Sequence, residues 1–230
     1  MHASRVCVVG LDGLVPELVY GAFASCLPTF NAVANDGLSG TLESCLPPIT
    51  VPAWACAVTG HDPGTLGVYG FTDRAGHDYR SRRLASSRSY HVPPLWRILS
   101  KRGIECRVLG VPQTFPPEPI QGAMVCGFLT PSTDVSFTYP DNLRNQLAKD
   151  YRIDVDNFRV PEEQKPRLLD DVYAISRQRF DLAEQWLLSD AWRFFMMVDM
   201  GADRLQHAFW KNCFDDHPEH VAANPFETAI

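Results

Sequence analysis

The chain has 230 residues, of which 45% are hydrophobic and 21% charged, with 27 acidic against 21 basic side chains and a net charge of −6. That composition excludes a disordered tail, a collagen-like repeat and a coiled coil, and the acidic balance gives no bulk attraction for nucleic acid or anionic lipid. No apolar run approaches the roughly 20 residues that span a bilayer, and Asp12 breaks the first apolar stretch too early for a signal-peptide core, so the expected compartment is the cytoplasm.

Residues 5–11 (RVCVVGL) are polar only at Arg5 and read as a strand buried on both faces of a parallel sheet, ending at Asp12-Gly13. A helix is expected around Pro16 to Ala24 and a second over Leu27 to Asp36, stopped by Gly37. Residues 38–44 (LSGTLES) read as a second strand. A proline-dense turn, Leu46 to Pro52, leads into an apolar helix over Ala53 to Thr59, which places Thr50 just before a helix. Residues 61–90 look like a long surface loop carrying Arg80, Arg82, Arg83 and Arg88. Helix Pro94 to Lys101, strand Ile104 to Val111 and strand Ala123 to Phe128 follow. Residues 131–167 are polar and contain four prolines, which predicts an excursion or small cap rather than sheet. Leu168 to Leu188 is a long amphipathic helix, Phe194 to Val198 a buried strand ending at Asp199, and Asp203 to Cys213 a helix. Strands alternating with helices predict an α/β layered domain with a mostly parallel sheet.

Seven cysteines are scattered without a CxxC pair, and most read as small buried hydrophobes in a reducing compartment, not as a zinc-thiolate site. The residues that could carry chemistry follow strands or open helices. Asp12 ends an apolar strand, where open α/β sheets collect ligands, and offers a carboxylate to a hard or borderline cation; a turn cap is the plainer reading of Asp-Gly. Thr50 places a hydroxyl beside the free N–H groups of a helix start, a setting for an alkoxide that attacks phosphorus, or an ordinary helix cap. Asp203 and His207 stand four apart and share a helix face, so both could reach one cation or simply bond to each other. Asp199 is a fallback ligand or a support for one. Asp215-Asp216-His217 reads as a solvated loop.

Taken together, GLDG at 10–13, LPPITVPAWACAVTGHDPGTLGVYGFTDR at 46–74 and DRLQHAFW at 203–210 resemble the alkaline phosphatase superfamily, and within it the type I phosphodiesterase/nucleotide pyrophosphatase family. VPQTFPPEPIQGAMVCGFLTPS at 111–132 and the closing HPEH…NPFETAI agree with its bacterial and archaeal branch. The resemblance implies an alkaline-phosphatase-like layered fold, a mostly parallel central sheet between helices, incomplete at the C-terminus. Residues 1–230 would be the N-terminal portion of one phosphodiesterase/phosphatase-like domain, with 131–167 a cap within it. It implies two divalent metal ions, usually zinc, with Asp12 and Thr50 on one and Asp203 and His207 on the other. Thr50 would be the nucleophile, forming a phosphothreonine that water then hydrolyses, on a small phosphorylated, nucleotide-like substrate.

The chain departs from the family pattern in two ways. The asparagine expected 21 residues after the nucleophile is Phe71, and the histidine before the loop glycine is Leu66. The family's late Asp-His-Gly motif and final histidine do not occur before Ile230, which predicts incomplete metal sites and a fragment that is inactive or nearly so. A remnant that binds a ligand or partner without turnover is the competing expectation. Sulfatases are excluded because Cys45-Leu46-Pro47-Pro48-Ile49 lacks their arginine, the related phosphoglycerate mutases use serine at the position of Thr50, and membrane phosphoethanolamine transferases need spanning helices.

Overall fold

The computed structural model describes residues 4–74, 80–189 and 192–230. In chain order its elements are β1 (Val6–Leu11), α1 (Pro28–Asp36), α2 (Thr50–Thr59), α3 (Pro63–Leu66), β2 (Thr72–Arg74), β3 (Arg82–Leu84), α4 (Leu95–Ser100), β4 (Cys106–Leu109), β5 (Gly122–Val125), β6 (Thr138–Tyr139), α5 (Lys165–Leu187), β7 (Phe194–Asp199) and α6 (Gly201–Cys213). β1, β7, β4, β5 and β6 form one sheet in that order, parallel except for β6; β2 and β3 form a separate antiparallel hairpin. Helices flank this mostly parallel sheet, an arrangement consistent with an alkaline-phosphatase-like fold.

β7 lies inside the sheet, between β1 and β4. All six of its residues are buried, because it has a strand on either side and helices against its faces. α5 buries a stripe at helical spacing, Lys165, Leu168, Val172, Ile175, Arg179, Ala183 and Trp186. Ala183 and Trp186 join the core around β7, while Leu168 and Val172 pack with Phe209 of α6. Arg179 is a charged member of that stripe. It is held by Asp199 Oδ1 at 2.9 Å and by the carbonyl of Ile153 at 2.5 Å. β1, expected to be buried on both faces, lies instead at the sheet edge, and Val6, Cys7, Val8 and Val9 are exposed. Its composition suits a doubly covered strand, but its position leaves one side without a partner strand among the described residues.

Four other expectations are corrected. Residues 38–44 form no strand, and Leu38 and Leu42 are fully exposed; no described edge supplies the pairing a strand needs. The expected helix over 16–24 shrinks to isolated turns at Leu18–Ala22 and Ala24–Cys26, around Gly21. The 61–90 loop contains α3 and the β2–β3 hairpin, while 75–79 lie outside the described residues. Within 131–167, the short strand β6 joins the sheet against β5, so this stretch is not wholly an excursion.

Candidate active site

Parallel register builds the site. Leu11 pairs with Asp199, and the Asp12 amide donates to the Asp199 carbonyl at 2.9 Å. The carboxyl ends of β1 and β7 therefore coincide, and α6 begins two residues after Asp199. That brings Asp203, on the first turn of α6, against the turn at Gly13. Gly13 has φ of +66°, and a Cβ there would lie 3.0 Å from both Cβ and Oδ1 of Asp203, so the close approach requires glycine. Gln206 Nε2 donates to the Gly13 carbonyl at 2.7 Å and fastens the helix to the turn.

Asp12 is buried, with 6% of its surface exposed. Its two oxygens are divided between two residues of α2. Trp54 Nε1 donates to Oδ1 at 2.6 Å and the Thr50 hydroxyl donates to Oδ2 at 3.2 Å. Trp54 reaches this place across Gly10, where a Cβ would overlap the indole at 2.3 Å. Thr50 is the first residue of α2 and Ile49 the cap, with no side-chain capping bond. The Thr50 hydroxyl is thus directed at a carboxylate beside a helix start, which is not the geometry of an N-cap.

Asp203 Oδ1 lies 3.4 Å from His207 Nε2, and Asp203 Oδ2 accepts from Arg204 Nη1 at 2.5 Å. His207 is half exposed and stacks on Phe158, with ring centroids 4.9 Å apart. Asp199 is committed elsewhere. Besides Arg179 it accepts from Ser176 Oγ and from the Gly201 amide, each at 2.9 Å, and so holds the start of α6 rather than facing Asp203. Burial pushes the Asp12 carboxyl above its ordinary pKa and the charge of Asp203 pushes further, against the lowering effect of the Trp54 and Thr50 bonds and of Arg204.

A desolvated carboxylate with a second carboxylate close by is electrostatically suited to a cation. The donors are also of the right kind: oxygen from Asp12 and Thr50, oxygen and imidazole nitrogen from Asp203 and His207. Each pair contributes two protein donors. Among the described residues no three His, Cys, Asp or Glu side chains are gathered as one metal set.

Four contributors escaped the sequence reading. Trp54 and Arg204 lie inside the family motifs, in helix positions that look apolar or solvated. Phe128 lies within 111–132, where it was expected to close a strand, but β5 ends at Val125 and Phe128 stands beyond it. Asp154 comes from a loop that no periodicity connects to the site. Arg204 is buried, donates to both oxygens of Asp154, and has its guanidinium 4.8 Å from the Phe128 ring and 5.0 Å from that of Phe158. Phe71 meets Phe128 edge to face, with ring centroids 5.8 Å apart.

The profile of the type I phosphodiesterase / nucleotide pyrophosphatase family matches residues 6–223. The chain belongs to this family. Neither the search of curated proteins nor that of solved structures gave a match. Membership of the type I phosphodiesterase / nucleotide pyrophosphatase family points to hydrolysis of phosphodiester or pyrophosphate bonds, and the family is generally dependent on divalent metal. Among the described residues no helix is long and apolar enough to cross a membrane.

Proposed function

We propose that the chain carries the nucleophile side of a metal-dependent phosphodiester or phosphate-ester hydrolase, with Thr50 as the attacking residue. The supporting observation is the Thr50 hydroxyl at the start of α2, donating to a buried aspartate that also feels a second carboxylate. Asp12 and Thr50 would hold one divalent cation, zinc by family expectation, and Asp203 and His207 another; such ions withdraw charge from the phosphoryl oxygens and favour the ionised hydroxyl.

The chain's own residues set the rest. Trp54 fixes one oxygen of Asp12 and leaves the other to the Thr50 proton. The amides of Thr50 and Val51, which open α2 ahead of Pro52, have no partner within the helix and would donate to phosphoryl oxygens. Thr50 Oγ1 attacks phosphorus and the alcohol leaves on the opposite side. Water then cleaves the phosphothreonine and restores the hydroxyl, releasing a phosphomonoester from a diester substrate, or phosphate from a monoester. The substrate is a small phosphorylated molecule.

With zinc supplied in excess, Thr50→Ala should lower bis(p-nitrophenyl) phosphate hydrolysis by roughly a thousandfold or more, since removing a nucleophile leaves only binding and electrostatic assistance. A kcat within a few-fold of the parent would move the role to another residue. The count of two protein donors per cation favours a second reading, in which the chain binds a phosphorylated ligand without turnover. Saturable ligand binding without hydrolysis at any zinc concentration would decide for it.

A further inference from the structure

Arg204 is shared by two carboxylates, but unequally. Its Nε lies 3.1 Å from each oxygen of Asp154 and its Nη2 lies 2.5 Å from Oδ2, whereas Asp203 receives only Nη1. The rings of Phe128 and Phe158 pack against the guanidinium, and the Arg204 side chain is buried. Burial works against its charge, yet the Asp154 hydrogen bonds and the Asp154, Asp203 and Asp12 carboxylates hold its pKa above the ordinary value. The loop bearing Asp154 is itself pinned, because the neighbouring Ile153 carbonyl accepts from buried Arg179 and the Val155 amide donates to Asp154 Oδ1 at 2.8 Å.

We propose that Asp154 is a positioning residue for the cation site: by taking up the charge of Arg204 it leaves Asp203 negative and its Oδ1 free to ligate a divalent ion together with His207. The inference rests on the metal-binding reading above. The trio Asp154, Arg204 and Asp203 has a net charge of −1. Without the Asp154 charge it is neutral, and Arg204 competes with the cation for Asp203. Residues that orient a ligand and set its charge alter metal affinity by about 10- to 100-fold.

The test uses the full chain, with Zn²⁺ measured by competition against a chelating dye and Co²⁺ by its visible spectrum. Asp154→Asn keeps the shape and should weaken Zn²⁺ binding at least tenfold and alter the Co²⁺ bands, with unchanged far-ultraviolet circular dichroism. Asp154→Glu keeps the charge, and the cavity of about 380 Å³ beside Asp154 has room for one more methylene, so its affinity should return to within about threefold of the parent. Asp203→Asn should abolish binding at this position. Equal affinities for the parent and Asp154→Asn, with Asp203→Asn defective, would overturn the role of Asp154 alone. Equal affinities for the parent and Asp203→Asn would overturn the metal reading and this proposal together.

Discussion

Asp12 is held where a carboxylate is costly: buried, close to Asp203, and relieved only by two hydrogen bonds and the more distant Arg204. Its folded-state pKa stands above its unfolded value of about 3.9. The folded chain therefore binds the extra proton, and stability falls as pH rises from that value through the raised one. Asp12→Asn removes the charge while keeping an acceptor for Trp54. The variant should melt a few degrees higher than the metal-free parent at pH 7, and the difference should vanish below about pH 4. Thermal melts of both chains in chelator across that range would check this. A parent as stable as the variant at pH 7 would mean that Asp12 carries no electrostatic cost. The same residue shows what a sequence conceals. Its place after an apolar run is legible, but its burial depends on Trp54, which follows it by 42 positions.

At the scale of elements, α2, α5, β7 and α6 were legible because each carries a strong periodic or wholly apolar pattern with clear stops. β1 was legible as a strand but not as an edge, since apolar composition does not reveal how many neighbours a strand will have. The 38–44 stretch has only Leu38 and Leu42, four apart, as large apolar residues, a weak strand signal, and pairing is a property of the partner as much as of the segment. The consequence is a row of exposed apolar side chains, Val6, Val8 and Val9, along an edge strand, with Leu38 and Leu42 exposed in the same molecule. Such an edge templates association. The chain should self-associate at micromolar concentration, and Val9→Lys, at a half-exposed position, should reduce light scattering with little change in melting temperature. A monodisperse parent would remove the argument, and unchanged scattering by Val9→Lys would move the contact away from β1.

Across the whole molecule, Asp12, Thr50, Asp203 and His207 meet although 195 residues separate the first from the last, because β1 and β7 run parallel in register and α2 starts above their shared end. The ordered motifs made this convergence readable in outline. Asp154 was not readable, since it arrives on a loop whose only signal is the partner it meets. The assembled charges, three carboxylates around one guanidinium, leave an excess of negative charge for a cation to neutralise. Binding to the folded state alone raises stability by mass action, by about 2.7 kcal/mol when free ligand is a hundredfold above its Kd. For a chain of this size that corresponds to roughly 5–10 °C in Tm. Zinc at that excess should therefore raise the melting temperature of the parent near neutral pH, and should raise that of Asp12→Asn less. The same ions should be lost on desalting, because two protein donors per cation fall short of the three or four that hold zinc tightly. Melting curves with and without zinc, followed by metal analysis after gel filtration, test both halves. An unchanged Tm would rule out the paired carboxylates as a cation site, and two zinc ions surviving filtration would show that further side chains of the chain complete the coordination.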